Sequence, residues 1–313
     1  MSGAPRPAVE VPDAYYDHDD ADNRCYLCGE PDYELVHEVR HFGFPFRFQR
    51  CRCGIVKQTP MPSRRFFEWF FNSELFVSGR RHADGKIWGF YDYFADEPSR
   101  LATSRLRYRK LRPFLEGRGR PLDILKIGPS TGTFLHVANE HGHRAIGCDV
   151  SAQFVDYARE TYGVRIDHGR FEELGYANGR FDAIFLFNVI ENVPNQTEFL
   201  REVRRCLKPG GYFVFNFVDM KHNLLARLQG DRYFIYRPPI CYVFDRDVMR
   251  RVLDASGFRL LRCLRDRRYL TIEKVTTLLG LHRALAAARR LGVDRTAIRV
   301  YAYPSKIWVA TRD

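Results

Sequence analysis

Apolar runs and amphipathic stretches alternate along the C-terminal two thirds of the chain. From Leu122 onwards, short apolar runs that fit buried strands are followed by stretches whose apolar spacing fits a helix. This alternation is typical of an α/β protein with a parallel sheet. Helices are predicted after Gly132, after Ser151 and over 195–206, with a basic helical insertion over about 270–291. We predict seven strands, at 122–127, 144–149, 164–167, 181–188, 212–218, 258–264 and 306–311.

The pattern before Leu122 is different. Paired cysteines flank an alternating segment, Glu34 to Arg50, that fits a hairpin, and Gly117-Arg-Gly-Arg-Pro121 fits a hinge. The first residues are acidic and contain proline, without a basic and apolar leader. We therefore predict four regions: a mobile tail over 1–20, a zinc-binding module over 21–62, a helical connector over 63–117 and the α/β domain over 118–313.

The composition limits the classes of function. The chain has 313 residues and a formal net charge of +12, which suits binding to nucleic acid or, equally, to an acidic or phosphorylated small molecule. No recognised nucleic-acid reader motif is present, so a zinc-containing nucleic-acid-binding protein ranks last among our hypotheses. No window reaches the roughly 18 apolar residues of a membrane span. We expect a cytoplasmic protein with no membrane contact.

Four cysteines near the start are spaced like two zinc knuckles: Cys25, Cys28, Cys51 and Cys53. A glycine follows the second cysteine of each pair and lets the backbone turn. Four thiolates satisfy tetrahedral zinc and leave no open position, so we expect structural rather than catalytic zinc. Free thiols and a disulfide remain alternatives, and His37 or His41 could replace a ligand. The other four cysteines have apolar neighbours and are expected to be buried thiols.

One loop carries the strongest chemical signal. The segment Leu125-Lys-Ile-Gly-Pro-Ser-Thr-Gly132 joins the first predicted strand to its helix with two glycines spaced four apart. Strand, glycine turn and helix let a backbone approach a nucleotide-like ligand closely. A two-glycine loop is weak evidence by itself, and so is an acid about twenty residues downstream, here Asp149.

Three further motifs follow in order: Gly147-Cys-Asp-Val-Ser151, Phe187-Asn-Val-Ile-Glu-Asn-Val-Pro194 and Leu207-Lys-Pro-Gly-Gly211. Together with the loop they resemble class I S-adenosylmethionine-dependent methyltransferases. The resemblance extends to the branch with an N-terminal zinc-binding module. It rests there on Cys25-x-x-Cys28, Cys51-x-Cys53-Gly54, Pro60-Met-Pro62, Gly89-Phe-Tyr-Asp-Tyr93, Tyr236-Arg-Pro-Pro239 and Phe244.

The resemblance implies a Rossmann-like seven-stranded sheet with a small zinc-ribbon-like module. It also implies binding of S-adenosylmethionine and methyl transfer to a small molecule such as a sugar, a polysaccharide precursor or a specialised metabolite, which could be anionic or nucleotide-linked. Asp149 would accept hydrogen bonds from both ribose hydroxyls. The cofactor-binding residues implied are Lys126, Gly128, Pro129, Ser130, Gly132, Asp149, Val150, Arg170, Phe171 and Asn188. Candidates for a general base are Glu191, His222 and Tyr236. The oligomeric state is not indicated.

The chain departs from the family pattern at four positions: Lys126, Arg170, Asn192 and Cys241. Lys126 stands where the family has an acid near the cofactor's ammonium. At ~4 Å and an effective dielectric near 20, two like charges repel by about 4 kcal/mol, roughly a thousandfold in affinity. Three interpretations stay open: a displaced lysine with cofactor binding intact, a changed ligand or lost methyl transfer, or a shifted strand that places Lys126 elsewhere.

Overall fold

The computed structural model describes residues 15–17, 24–41, 44–77, 93–221, 235–237, 239–278, 281–300 and 305–313. The strands in chain order are β1 (Tyr16–Asp17), β2 (Tyr33–His41), β3 (Phe44–Cys51), β4 (Val56–Thr59), β5 (Met61–Pro62), β6 (Asp123–Ile127), β7 (Arg144–Asp149), β8 (Ile166–His168), β9 (Phe181–Phe187), β10 (Leu207–Val218), β11 (Tyr242–Val243), β12 (Phe258–Arg265), β13 (Arg268–Thr271), β14 (Ala297–Val300) and β15 (Ser305–Arg312). The helices are α1 (Arg64–Asn72), α2 (Glu74–Val77), α3 (Glu97–Leu115), α4 (Thr133–Glu140), α5 (Ala152–Tyr162), α6 (Gln196–Cys206), α7 (Arg246–Ala255), α8 (Ile272–Leu278) and α9 (His282–Arg290).

The central sheet has seven strands in the order β12-β15-β10-β9-β6-β7-β8. Only β15 runs antiparallel to its neighbours in this sheet. The predicted fold class and its seven strands are confirmed. The largest difference is at β10, which begins at Leu207 rather than Tyr212, because Leu207 pairs with Phe181 before a register shift across the intervening turn.

Both faces of this sheet are covered, as a largely parallel sheet requires. Alternation along β10 shows the division: Phe213, Phe215 and Phe217 enter one apolar cluster, whereas Val214 enters the other. The first cluster contains buried residues of α1, α6 and α7, and the second contains those of α3, α4 and α5. The carboxyl ends of the parallel strands therefore meet at one edge, called here the carboxyl edge, and their beginnings meet at the amino edge.

The N-terminal part forms a second, antiparallel sheet in the order β11-β4-β3-β2. The predicted hairpin is present as β2 and β3. The edge strand β11 comes from the C-terminal part, so residues 21–62 do not complete this sheet alone. The tail also differs from the prediction, because β1 pairs with β5 and buries Tyr16, whose ring centroid lies 5.0 Å from that of Phe46. Residues 1–14 and 18–23 lie outside the described residues.

Helices connect the two sheets. Ser63 caps α1 by accepting a hydrogen bond from the Phe66 amide, and α3 begins with Pro98 in its first turn. The predicted basic insertion contains α8 and α9, and the hairpin of β13 and β14 closes it at its base. Among the described residues, no helix combines the length and the apolar character that spanning a bilayer demands.

Candidate cofactor site and metal centre

The glycine loop lies between β6 and α4 at the carboxyl edge. Its backbone is left-handed at three residues, with φ of 60° at Gly128, 56° at Ser130 and 83° at Gly132. A Cβ on Gly128 would lie 2.7 Å from Val189 Cγ2, and one on Gly132 would lie 2.9 Å from Ala158 Cβ. Both glycines are therefore required by the turn and by close packing within the protein. Whether a ligand also approaches them stays a prediction.

Asp149 ends β7 beside this loop, and its carboxylate is held at both oxygens. Oδ2 accepts a hydrogen bond of 3.0 Å from the Ser130 amide, and Oδ1 accepts one of 3.0 Å from the Ser151 amide. Burial raises the pKa of Asp149, while these amides and nearby Lys126 act in the opposite direction. A carboxylate offers about four acceptor positions. Asp149 therefore retains acceptor capacity for the two hydroxyls of a ribose.

Lys126 is buried beneath the loop. Its Nζ donates to the carbonyl oxygens of Ile127 at 2.9 Å and Gly128 at 3.0 Å, and it lies 5.2 Å from the ring centroid of Phe187. Burial, reinforced by repulsion from Arg107, lowers the pKa of Lys126 to about 7. The strand is in its predicted place, so a shifted strand does not explain the lysine. Its ammonium is satisfied by main-chain carbonyls.

Asn188 follows β9 in a left-handed conformation, with φ of 58°. Its amide donates to Asn216 Oδ1 at 2.7 Å, and its Oδ1 accepts from Arg268 Nη2 at 2.8 Å. A non-glycine residue in this region is strained and needs support from its surroundings. Side chains from β10 and β13 supply that support at the carboxyl edge.

Asp266 joins these side chains into one network. Arg107 of α3 donates to both of its carboxylate oxygens, at 3.0 and 2.7 Å, and Arg268 donates to Oδ2 at 2.9 Å. Asn216 and Ser305 each donate at 3.0 Å. Burial alone would raise the pKa of Asp266, but the two guanidinium groups hold it well below its ordinary value.

Glu191 is buried just after Asn188. Its Oε1 accepts a hydrogen bond of 2.7 Å from the Val218 amide, and its carbonyl accepts one of 2.8 Å from the Cys241 amide. Burial raises the pKa of Glu191 to about 7. Tyr236 packs in an apolar cluster that contains Val218, so both predicted bases adjoin the end of β10. His222 lies outside the described residues.

The remaining predicted cofactor residues are more dispersed. Arg170 forms an ion pair with Glu172, with 3.4 Å between Nη2 and Oε1. Phe171 is buried in the core, 5.6 Å from Phe199 between ring centroids. Pro129 packs against β7, because a Cβ on Gly147 would lie 2.6 Å from Pro129 Cγ. The contacts of Arg170, Phe171 and Pro129 with a cofactor stay predictions.

Two residues that the sequence analysis did not propose as site residues contact this region. One binds the glycine loop, and the other binds the backbone that follows Asp149. Tyr93 forms a hydrogen bond of 2.7 Å between its hydroxyl and Ser130 Oγ. Asn72 donates to the carbonyl of Val150 at 3.1 Å and accepts from the Ala152 amide at 3.0 Å. Tyr93 is the last residue of the segment Gly89-Phe-Tyr-Asp-Tyr93, whose resemblance to the family could have indicated a role at the site. Asn72 is a polar residue at the end of an amphipathic helix, a position without a local signal for the contact.

The four N-terminal cysteines converge as the spacing predicts. Their Sγ atoms all lie within 4.8 Å of one another, with two separations of 3.4 and 3.5 Å. Tetrahedral zinc with Zn–S distances of ~2.3 Å needs sulfur atoms about 3.8 Å apart. The Gly29 and Gly54 amides close the two turns onto the carbonyls of Cys25 and Cys51. The donor set therefore fits a tetrahedral metal. His37 instead packs on the ring of Tyr236, 5.0 Å away.

Comparison with known proteins agrees with this geometry. Residues 125–215 match the family described as a methyltransferase domain. The match runs from β6 into β10 and includes the glycine loop, Asp149 and Glu191. Over these residues the chain is therefore similar to a methyltransferase domain.

The curated relatives match only part of this chain. A probable S-adenosylmethionine-dependent methyltransferase of Mycolicibacterium smegmatis is 32% identical over 108 residues, which are 34% of this chain and 40% of that protein. The norajmaline N-methyltransferase of Rauvolfia serpentina is 29% identical over 124 residues, 37% of this chain and 42% of that enzyme. The chain spans 40% and 63% of the first two curated relatives that it matches, less than two thirds of their length.

Solved structures share the fold. A methyltransferase from Archaeoglobus fulgidus superposes with a TM-score of 0.50 at 15% identity, covering 70% of this chain and 99% of that one. The magnesium protoporphyrin IX methyltransferase of Synechocystis, solved with bound S-adenosylhomocysteine, gives a TM-score of 0.50 at 14% identity, covering 80% of this chain and 100% of that one.

Proposed function

We propose that this chain binds S-adenosylmethionine at the carboxyl edge and transfers its methyl group to a small-molecule acceptor. The observation that carries the proposal is the cradle around Asp149. Its carboxylate is fixed between the Ser130 and Ser151 amides and retains acceptor capacity for a diol. When bound, the cofactor would supply an activated methyl group, and Asp149, Val150 and the loop 128–132 would hold it.

The acceptor would lie farther along the same edge, beside Asn188 and Glu191. Methyl transfer is an in-line displacement, so alignment of the two reactants can supply much of the rate. A hydroxyl or carbon acid also needs a base, and the most effective base has a pKa near the working pH. The raised pKa of Glu191, about 7, meets that requirement. We therefore propose Glu191 as the base, with His222 and Tyr236 as the other candidates.

The position of Lys126 favours retention of methyl transfer over a changed ligand. A lysine aimed into the pocket would repel the cofactor's ammonium. Here Nζ donates instead to the carbonyls of Ile127 and Gly128, which turns its charge toward the backbone of the loop. The alternative, a methyltransferase-like biosynthetic protein that has left methyl transfer, predicts that the lysine belongs to a different ligand's site.

Calorimetric titration with S-adenosylmethionine and S-adenosylhomocysteine tests cofactor binding. We expect both to bind and Asp149→Ala to weaken each by at least tenfold. The matched control is Asp156→Ala, which removes an exposed carboxylate of α5 that pairs with Arg159. Absence of heat and of a thermal shift with either compound in the unmodified protein would exclude the proposal.

Lys126→Asp separates the two interpretations of the lysine. If the site is intact, the affinity for S-adenosylmethionine stays within about threefold or falls, because the new carboxylate loses the two carbonyl contacts. A large rise in affinity would mean that the lysine had been excluding this cofactor. The same variant should be tested for methyl transfer to a panel of hydroxylated small molecules, with nucleic acid as the comparison acceptor.

We further propose that Cys25, Cys28, Cys51 and Cys53 hold one structural zinc ion. Elemental analysis of protein grown with zinc should find about one zinc per chain. Cys51→Ser should lose it, whereas Cys263→Ser, which alters an exposed thiol elsewhere, should retain it. Metal-free wild-type protein in which all eight cysteines titrate as thiols would contradict the proposal, and a loss of two thiols would indicate a disulfide.

A further inference from the structure

The cradle of Asp149 depends on Ser130 adopting a conformation that L-residues avoid. At φ 56°, Ser130 directs its amide to Asp149 Oδ2 at 3.0 Å. The neighbouring left-handed positions of the loop are glycines, which adopt this conformation without penalty, whereas a serine does not. Something outside the loop must therefore favour it. The hydroxyl of Tyr93, 2.7 Å from Ser130 Oγ, is in place to do so.

Tyr93 is itself held rigidly. The residue is 9% exposed, its ring centroid lies 4.7 Å from that of Phe154, and the guanidinium carbon of Arg100 lies 3.6 Å from the ring centroid. Its amide also donates to the carbonyl of Val77 at 2.7 Å. A hydroxyl on such a fixed ring can define the position of Ser130.

The other side of the cradle has an equivalent support. Asn72, at the end of α1, binds the carbonyl of Val150 and the amide of Ala152 through one carboxamide. Gln153 returns a hydrogen bond of 2.8 Å to the Asn72 carbonyl. These contacts flank Ser151, whose amide donates to Asp149 Oδ1 at 3.0 Å. The two amides that bind Asp149 are therefore each supported from outside the methyltransferase domain.

We propose that Tyr93 and Asn72 are positioning residues of the cofactor site. Through them, the connector between the two sheets preorganises Ser130, Asp149 and Ser151 before an adenosyl ligand arrives. Preorganisation raises affinity by removing the ordering cost from the binding step. The proposal rests on the proposed function for its ligand, but the ordering of the backbone is a property of the free protein.

Hydrogen–deuterium exchange on the ligand-free, full-length protein tests the ordering directly. Tyr93→Phe should speed exchange in the loop 128–132, and Asn72→Ala should speed it over 150–152, each about three- to tenfold, as expected when one hydrogen bond is lost. Matched controls remove the same groups elsewhere: Tyr157→Phe on α5 and Asn178→Ala at the amino edge. Exchange that stays at the wild-type rate in both test variants would overturn the proposal.

Affinity for S-adenosylhomocysteine provides the second measurement. Each test variant should raise Kd about three- to tenfold, while its thermal midpoint stays close to that of its control. Faster exchange without any wild-type binding of this ligand would mean that the proposed function fails and the preorganisation stands. If the wild type binds S-adenosylhomocysteine and neither variant weakens that binding, the proposed function stands and the preorganisation proposal fails.

A double-mutant cycle separates positioning from general stability. Ser130→Gly removes the strain and the hydroxyl together, so Tyr93→Phe should have no further effect on Kd in that background. Ser130→Ala keeps the strain and should weaken binding as Tyr93→Phe does. If Tyr93 acted only through packing, Tyr93→Phe would have the same effect in the Ser130→Gly protein as in the wild type, and that result would overturn its positioning role.

Discussion

Asp182 and Asp266 have side chains that are both fully buried, at opposite edges of the central sheet. Asp182, at the amino edge, is bound by Arg120 and by Lys208, whose side chains are 47% and 31% exposed. Asp266 is bound by Arg107 and Arg268, which are 9% and 10% exposed. One aspartate therefore meets hydrated cations, and the other meets cations that are themselves buried.

The surroundings of the two aspartates indicate different roles for the two edges of the sheet. At the amino edge, Asp182 also accepts a hydrogen bond of 2.9 Å from the Asp123 amide and ties the starts of β6, β9 and β10 together. At the carboxyl edge, the network of Asp266 extends to Asn188, which adopts a strained conformation beside the proposed acceptor position. Buried ion pairs are weak evidence for stability but can fix a geometry. We therefore expect removal of Asp182 to affect folding alone and removal of Asp266 to affect folding and the site.

The largest effect is expected from Asp266→Ala. Because two buried guanidinium groups lose their shared carboxylate, the free energy of unfolding should fall by about 3–5 kcal/mol. Asn188 would also lose a fixed partner, so the affinity for S-adenosylhomocysteine should fall. Urea unfolding and calorimetry measure the two quantities. An unchanged affinity in the folded variant would show that the network serves stability only.

Glu191→Gln should raise the free energy of unfolding at neutral and higher pH, whereas Asp266→Ala lowers it. The native pKa of about 7 lies above the unfolded value of 4.5, so the stability that the protonated form contributes is complete below pH 4.5 and is lost as the pH rises through 7. Glutamine can accept the same bond from Val218 without this loss. Urea unfolding should show equal stability at pH 4.5 and an advantage for the variant of up to about 3 kcal/mol at pH 8.

The same variant tests the proposed base. Loss of a general base should lower kcat about a hundredfold or more. A normal kcat would restrict Glu191 to its hydrogen bond with Val218 and leave His222 and Tyr236 as candidates.

Asp182→Ala should have a smaller effect. Arg120 and Lys208 are partly exposed and can turn to water, so the main loss is of charge-assisted hydrogen bonds, about 1–3 kcal/mol in the free energy of unfolding. Affinity for S-adenosylhomocysteine should equal that of the wild type. A weakened affinity would mean that the two edges are coupled, and the comparison would fail.

Arg120→Gln should have the smallest effect. The arginine side chain is 47% exposed, which weakens its ion pair, and Arg118 and Lys208 remain beside Asp182. We expect no measurable change in the midpoint of urea unfolding. A clear loss of stability would show that this surface guanidinium is a larger part of the amino-edge pairing than its exposure indicates.

The sequence was sufficient for the framework. Apolar runs predicted the strands because a sheet covered on both faces needs continuous buried segments, and cysteine spacing predicted the thiol cluster. Contacts between distant segments left no local pattern. Asn72 meets Val150 across 78 positions of the chain, and Arg107 meets Asp266 across 159. The side-chain orientation of Lys126 was likewise unpredictable, because it depends on the positions of the Ile127 and Gly128 carbonyls in the folded loop.

Glu191 binds the backbone on both sides of the segment 219–240. Its side chain binds the Val218 amide where β10 ends, and its carbonyl binds the Cys241 amide just before β11 begins. Because the cost of closing a loop grows slowly with its length, the length of chain between these two anchors can vary at little entropic cost. Its composition is less free at the C-terminal end, because Ile235 is buried with Phe48 and Val56, and Tyr236 packs on His37.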